Sequence, residues 1–354
     1  MPLFLSEICH ATPADLADCR ARLRGGSRTF LAASHLLPRR VRDPAISLYA
    51  FCRVADDAID LDPDPMAALG TMRARLAAIH AGEPAPIPED RAMADTVEEF
   101  SIPRALPEAL MEGFAWDASG RRYETLSDVA AYAVRVAGTV GMMMALLMGA
   151  RTPDLVARAC DLGVAMQFSN IARDVGEDAA AGRLYLPKAW LRESGLDPDA
   201  WLANPRPVAA IADAVRRLLA EADVLYDRAL AGIAGLPRSC RPGIGAARAL
   251  YAEIGHEVAR RGHDPVSSRA VVSGRRKVAV LAGSLLARQP AHALAAPMLP
   301  EAAFLAAAVA AAPVPAAFAT RAEGFLPARP RFASFIDMCI RLEQRERFEL
   351  TAAE

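Results

Sequence analysis

The amino-acid sequence predicts an all-α protein. Alanine and leucine dominate the 354 residues, of which 53% are hydrophobic and only 6% aromatic. These residues favour helix, and the alternation of Val, Ile and Thr that is typical of strands is scarce. Apolar residues recur at helical spacing between segments rich in Pro, Gly and Asp. The pattern predicts helices near 43–61, 66–81, 104–117, 126–149, 152–181, 206–233, 240–262 and 275–287.

The breaks between these helices are short enough to be loops within one domain. We therefore predict that residues 1–290 form a single helical domain, which is large enough to bury a sizeable core. After Pro290 the composition changes to alanine and proline. Residues 291–354 are accordingly predicted to be an Ala/Pro-rich C-terminal extension, for which the sequence indicates no role.

Two apolar stretches were candidates for a membrane span. Residues 136–150 are fewer than the roughly 18 that a span requires, and residues 302–320 are interrupted by Pro313 and Pro315. The N-terminus lacks the basic start of a secretory signal, and the six cysteines form no CxxC pair. We expect a cytoplasmic protein, with a peripheral position at the inner face of the cell membrane left open.

The charge of the chain argues against a nucleic-acid partner. The formal net charge is -1, and no segment concentrates basic residues into a stripe. A charged substrate must therefore be bound by local groups.

The first of two acidic clusters lies in YAFCRVADDAID, residues 49–60. Asp56 and Asp60 are four residues apart, and Arg53 precedes Asp56 by three. On a helix these three side chains project from one side, whereas Asp57 points about 100° away.

The second acidic cluster lies in QFSNIARDVGED, residues 167–178. Asn170, Asp174 and Asp178 recur every four residues, with Arg173 beside them. Each predicted helix thus carries a stripe of acidic or amide side chains next to an arginine, in apolar surroundings.

This arrangement predicts a metal-assisted diphosphate site. Carboxylates held close together in apolar surroundings would bind protons unless cations lay between them. Mg2+ accepts a few carboxylates, keeps several waters and completes its coordination with phosphate oxygens. Arginines would neutralise the remaining phosphate charge. Such a site favours departure of diphosphate from an allylic carbon.

Other interpretations of the acidic residues are weaker. Helix caps and surface ion pairs would explain either cluster alone. An EF-hand is suggested by the three aspartates in 60–64, but Pro65 stands where glycine is required and Thr71 where glutamate is required. A di-iron bundle needs two Glu-x-x-His motifs, and only Glu253 with His256 fits.

With these motifs the sequence resembles the squalene/phytoene synthase family, and most closely its bacterial phytoene synthases. The resemblance covers roughly residues 20–285 and implies a class I isoprenoid synthase helical bundle with a central active-site cavity. It rests on GGSRTFLAASHLLP (25–38), YAFCRVADDAID (49–60), YAVRVAGTVG (132–141), NIARDVGEDAAAGRLYLP (170–187) and residues 241–277.

The resemblance also implies roles for individual residues. The metal ligands it implies, of which the four aspartates are also the catalytic residues, are Asp56, Asp60, Asn170, Asp174 and Asp178. The substrate-binding residues it implies are Ser27, Thr29, Phe30, Tyr49, Arg53, Tyr132, Arg173, Tyr185, Tyr251 and Arg269. The apolar segment 136–141 would either line the wall along a polyprenyl chain or simply pack in the core.

The activity that the resemblance implies is that of a geranylgeranyl transferase in carotenoid biosynthesis. Two geranylgeranyl diphosphates would condense head to head through prephytoene diphosphate to 15-cis-phytoene, with release of diphosphate. Mg2+ is the expected cofactor, Mn2+ an expected substitute, and no NADPH is expected. Contact with a membrane or with downstream carotenoid enzymes is left open.

Three rival functions remain at this point. A squalene-type or dehydrosqualene synthase would use farnesyl diphosphate. A catalytically silent homologue would act as an assembly or binding protein, and a structural bundle would bind metal without releasing diphosphate.

Overall fold

The structure, a computed structural model, describes residues 9–26, 31, 33–286 and 294–315. Within these ranges the chain is helical and contains no β-strand, which confirms the predicted all-α class. The helices are α1 (Pro13–Gly26), α2 (Arg39–Leu61), α3 (Pro65–His80), α4 (Pro88–Phe100), α5 (Ala105–Ala118), α6 (Leu126–Ala133), a π-helical turn (Val134–Gly138), α7 (Thr139–Leu147), α8 (Pro153–Ala180), α9 (Lys188–Glu193), α10 (Pro198–Ala203), α11 (Ala209–Gly235), α12 (Arg241–Arg260), α13 (Gly274–Leu286), a 3-10 turn (Pro300–Ala302) and α14 (Ala303–Ala311).

Helix α8 is the centre of the bundle. It packs against α7, α11 and α12, while α2 packs against α1, α3, α4 and α5. Helix α7 contacts both α2 and α8, and α5 contacts α2 and the π-helical turn. The two helices that carry the acidic stripes are thereby held within one bundle, with α5 and α7 beside them.

Several helices begin at a polar side chain that is followed by proline. The side chain of Asp64 accepts hydrogen bonds from the backbone nitrogens of Met66 and Ala67, and that of Thr152 accepts one from Leu155. Such caps satisfy orphan amides at a helix start, and proline needs no partner there. Asp64 is therefore a helix cap, which removes the EF-hand interpretation of this segment.

The predicted helix 126–149 is continuous from Leu126 to Leu147, but its middle turn is π-helical. By length and composition this helix could cross a membrane, yet 67% of its apolar window is buried inside the protein. The burial agrees with the expectation of a core helix.

Small residues allow α7 and the π-helical turn to approach α8 closely. A Cβ atom added at Gly163 would collide with the carbonyl oxygen of Ala137 and come within 2.9 Å of the Cα atom of Gly138. A Cβ atom at Gly141 would collide with the carbonyl oxygen of Ala159. The backbone of Ala137, Gly138 and Gly141 thus packs against α8, whereas the role of segment 136–141 as a wall along a polyprenyl chain stays a prediction.

Described residues beyond 290 pack on the bundle. Ala302, Leu305 and Val309 are buried in the main core, and α14 contacts α5 and α8. The fully buried Arg158 donates hydrogen bonds to the carbonyl oxygens of Leu294, Ala296 and Pro297. The segment up to α14 is therefore part of the folded body, and the division of the chain at residue 290 stays a prediction.

We predict that Gly163→Ala lowers the free energy of unfolding by about 1–3 kcal/mol, because the added methyl group forces the π-helical turn and α8 apart. The matched control is Gly70→Ala, whose methyl group would meet no atom within 4 Å. This control should gain up to about 1 kcal/mol from the higher helix propensity of alanine. Thermal or urea unfolding checks both variants, and equal stability of the two would contradict the close-packing argument.

Candidate active site

The first acidic stripe faces a cavity from α2. Asp56 and Asp60 both line this cavity. The Arg53 guanidinium lies 2.6 Å from Asp57 and 3.5 Å from Asp56. Arg53 thus lies nearer to Asp57 than to Asp56 and is not among the residues that line the cavity, whereas Asp56 and Asp60 face the same space, as their spacing predicts.

The second stripe faces the same cavity from α8. Gln167, Asn170, Asp174 and Asp178 line it over three turns. Arg173 donates to Asp174, with Nε to Oδ1 at 2.7 Å. The two stripes thus meet across one space, which was the central expectation from their sequences.

Arg269 reaches the second stripe from the loop that follows α12. Its Nε atom donates to Oδ1 of Asp174 over 2.8 Å and lies 3.3 Å from Glu177. Arg269 is 95 residues away from Asp174 in sequence, so only the tertiary fold makes this contact.

The cavity has a volume of about 160 Å³. It is lined by Asp56, Ile59, Asp60, Phe114, Asp117, Tyr132, Gln167, Asn170, Ile171, Asp174, Asp178, Arg183 and Tyr185. Acidic and amide groups thus share the space with two tyrosines and a few apolar side chains.

For two of the carboxylates, burial and neighbouring negative charges outweigh the effect of nearby arginines and raise the pKa. Burial and the neighbouring charge of Asp60 raise the pKa of Asp56 to about 6. Burial and the charge of Asp174 raise the pKa of Asp178 to about 7. Burial acts on Asp174 in the same direction, but hydrogen bonds from Arg173 and Arg269 outweigh it and lower its pKa.

The donor set fits a hydrated divalent cation. Among the described residues, no three His, Cys, Asp or Glu side chains are close enough to hold a metal ion by themselves. Mg2+ is usually bound by one or two carboxylates, with waters and phosphate oxygens completing the octahedron. The pair Asp56 and Asp60, and the set Asn170, Asp174 and Asp178, match that requirement.

The structure adds three cavity residues that sequence reasoning missed. Arg183 forms an ion pair with Asp60 at 3.0 Å, and its position in the GRLYLP motif was an available signal. Gln167 precedes Asn170 by one helical turn and could have been read from the same spacing. Asp117 has no acidic partner at helical spacing on α5, so no sequence pattern indicates it.

The remaining predicted substrate residues divide into three groups. Tyr132 and Tyr185 line the cavity. Tyr49 packs with the small cluster between α1, α2 and α4, and Tyr251 packs at the edge of the main core. Neither of these two tyrosines is among the side chains that line the cavity. The last group, which lies outside the described residues, is Ser27, Thr29 and Phe30.

Comparison with known proteins decides the family. The sequence model of the family described as squalene/phytoene synthase matches residues 23–277. The chain belongs to this family. Its match includes both acidic stripes and the loop that carries Arg269.

Two relatives of this squalene/phytoene synthase family member carry the name phytoene synthase. The chain is 56% identical to the phytoene synthase of Rhodobacter capsulatus over 276 residues, which covers 77% of this chain and 81% of the relative. It is 53% identical to the phytoene synthase of Cereibacter sphaeroides, covering 75% of this chain and 78% of the relative.

Solved structures share the fold. A dehydrosqualene synthase, 30% identical, superimposes with a TM-score of 0.72 over 77% of this chain and 96% of that chain. A squalene synthase from Alicyclobacillus acidocaldarius, 26% identical, superimposes with a TM-score of 0.66 over 71% of this chain and 95% of that chain. The protein therefore has the all-α class I isoprenoid synthase fold, as the resemblance implied.

We predict that Asp178→Asn stabilises the metal-free protein. Because folding raises the pKa of Asp178 from 3.8 to about 7, its ionised form costs stability, and this cost grows as pH rises between about 4 and 7. Removing the charge should raise the free energy of unfolding at pH 8 by about 1–2 kcal/mol, allowing for solvent screening.

Thermal unfolding in EDTA at pH 8 and at pH 5 checks this prediction, with the smaller gain expected at pH 5. The matched control is Asp197→Asn, at the exposed N-cap of α10, where Asn caps as well as Asp. A lower melting temperature for Asp178→Asn than for this control would contradict the prediction, because it would show that the ionised Asp178 carboxylate stabilises the folded protein.

Proposed function

We propose that the protein is a phytoene synthase that condenses two geranylgeranyl diphosphates head to head, through prephytoene diphosphate, to 15-cis-phytoene. The observation that carries the proposal is the meeting of the two acidic stripes in one cavity. These stripes lie in a chain that is 56% and 53% identical to two proteins named phytoene synthase. The enzyme is accordingly a prenyl transferase of carotenoid biosynthesis.

We further propose that Mg2+, with Mn2+ as a substitute, binds between the stripes. Asp56 and Asp60 would hold it from α2, and Asn170, Asp174 and Asp178 from α8. When bound, the metal neutralises the charge that develops on the departing diphosphate. The raised pKa values of Asp56 and Asp178 support this proposal, because a bound cation would offset the repulsion of Asp56 by Asp60 and of Asp178 by Asp174.

The arginines around the stripes are suited to hold the diphosphate. Arg53, Arg173 and Arg269 each contact an aspartate at the cavity rim, and Arg183 contacts Asp60. Guanidinium groups bind phosphate oxygens in a bidentate manner and remain charged at all relevant pH values. Each arginine can therefore exchange an aspartate oxygen for a phosphate oxygen once a metal occupies the carboxylates.

The rest of the cavity must protect a carbocation from water. Ile59, Phe114 and Ile171 provide apolar wall, while Tyr132 and Tyr185 contribute aromatic faces that attract positive charge.

A synthase that uses farnesyl diphosphate is the second candidate. The observation that favours it is the structural likeness to a dehydrosqualene synthase. The sequence identity to that protein is 30%, against 56% to a phytoene synthase. A silent homologue is disfavoured because all the stripe aspartates are present. The cytoplasmic location and any contact with membranes or downstream enzymes stay predictions.

We predict that Asp56→Asn and Asp174→Asn each lower turnover by at least about 100-fold, because each removes a carboxylate that would hold the cation needed to neutralise the leaving diphosphate. Pyrophosphate release in Mg2+ measures turnover, and circular dichroism confirms the helix content. The matched control is Asp154→Asn, an exposed position in the first turn of α8. Full activity of either stripe variant, or of the wild type in EDTA, would contradict the metal site.

We predict that geranylgeranyl diphosphate and Mg2+ without NADPH yield pyrophosphate and a forty-carbon hydrocarbon with a conjugated triene. Proton loss, not reduction, must then end the second cation. Farnesyl diphosphate should react more slowly, since each missing buried CH₂ forgoes about 0.8 kcal/mol.

Product extraction with chromatography and absorption spectroscopy checks this outcome. Preference for farnesyl diphosphate, or a hydrocarbon that forms only with NADPH, would favour the second candidate while leaving the fold and the family unchanged.

A further inference from the structure

The two tyrosines of the cavity share one hydrogen-bond acceptor, Asp117 of α5. The hydroxyl of Tyr132 donates to its Oδ2 atom over 2.8 Å, and the hydroxyl of Tyr185 donates to its Oδ1 atom over 2.7 Å. The two rings are stacked, with centroids 5.0 Å and planes 23° apart. All three side chains line the cavity. Asp117 therefore holds both phenols in one arrangement.

The carboxylate sets the direction of both hydrogen bonds. An ionised carboxylate can only accept, and a phenol has a single hydrogen to donate. With those hydrogens bonded to Asp117, each phenol oxygen retains only lone pairs for its other contacts. A tyrosine without such an acceptor could turn its hydrogen into the cavity, where it would repel a cation.

The surroundings keep the phenols protonated. Burial, followed by the charge of Asp117, raises the pKa of Tyr132 and of Tyr185. Burial also raises the pKa of Asp117, and the hydrogen bonds from Tyr185 and Tyr132 partly offset this rise. The two phenol hydroxyls thus stabilise the negative charge of Asp117, and Asp117 in turn orients both hydroxyls.

This arrangement suits a site in which a carbocation forms. A bare carboxylate beside an allylic cation would be alkylated by it. Both oxygens of Asp117 already accept phenol hydrogens, so the negative charge acts through the tyrosines. Dipoles fixed before the reaction stabilise developing charge without reorganisation.

We propose that Asp117 is a positioning residue that holds Tyr132 and Tyr185 with their hydroxyl oxygens available to the carbocation formed when diphosphate leaves. The proposal rests on the proposed function, because only an ionising prenyl diphosphate produces this cation. The dipoles act on the cation and not on the bound substrate. Asp117 therefore affects kcat more than KM.

Two other roles for Asp117 give different results. As a metal ligand beside Asp60 and Asp178 it would control the Mg2+ requirement, yet its two oxygens are directed to the tyrosines. As a mere anchor of α5 it would control stability, with an effect that does not depend on the phenols. The experiment therefore measures kcat, KM, the Mg2+ requirement and the coupling to both tyrosines.

The first variant is Asp117→Asn, which keeps the size of the side chain but replaces one acceptor oxygen by a donor group. One phenol then loses its acceptor and turns its hydrogen elsewhere. We expect kcat for phytoene formation to fall about 10- to 100-fold. KM for geranylgeranyl diphosphate and the half-saturating Mg2+ concentration should change less than about 3-fold. Asp197→Asn, on the surface, is the matched control.

The second measurement places Asp117→Asn in the Tyr132→Phe/Tyr185→Phe background. Without phenols to orient, the substitution should lower kcat there by less than about 3-fold, so that the mutant cycle is strongly non-additive. If Asp117→Asn fails to fold, Asp117→Glu is compared in the same two backgrounds. Glutamate keeps two acceptor oxygens at a displaced position, and the same non-additivity is expected.

Three results would overturn the proposal. These are an equal loss of kcat in both backgrounds, an unchanged kcat in Asp117→Asn, and a more than tenfold shift in the Mg2+ requirement. Failure of the proposed function is recognised separately in the wild type. If the wild type consumes another prenyl diphosphate, the same cycle is measured with that substrate. A wild type that releases diphosphate from none overturns both proposals.

Discussion

Repulsion among the carboxylates within each acidic stripe, on α2 and on α8, is the constraint on which this site depends. Asp56, Asp60, Asp174 and Asp178 face one cavity, in surroundings that raise the pKa of Asp56 and of Asp178. A fold selected for stability alone would separate these groups or replace them with amides. Both stripes face this cavity because α5 and α7 pack beside α2 and α8.

The arginines at the rim show how the protein manages this charge. Arg173 and Arg269 bind Asp174, and Arg183 binds Asp60. The groups that satisfy the acids are also those that bind phosphate well. One set of guanidiniums can therefore pair with aspartates in the free protein and would be able to bind diphosphate oxygens in the proposed substrate complex.

Packing against the N-terminal part of α8 supports this site. Gly141 and Gly163 let α7 and the π-helical turn approach α8 until no Cβ atom would fit. The buried Arg158, also on the N-terminal part of α8, binds the chain just before α14. These contacts fix α8 within the bundle, with its stripe facing the cavity. The phenols held by Asp117 extend the same preorganisation to the apolar part of the cavity.

The sequence by itself determined the helical class, most of the long helices and both acidic stripes, because helical periodicity is a local property of the chain. It missed α1 and α4, whose polar residues include the buried Asp15 and Asp90, paired with Arg91 and Arg75. A pattern that equates polar with exposed cannot detect a buried ion pair.

Only the tertiary structure decided which distant residues complete the site. Asp117 and Arg269 reach the cavity or its rim from separate segments, and no spacing in the chain encodes those contacts. It also showed that the backbone of Ala137, Gly138 and Gly141 contacts α8, which a run of small apolar residues alone does not specify. Local chemistry could therefore be predicted from residue order, whereas the partners of each group depend on how the helices pack.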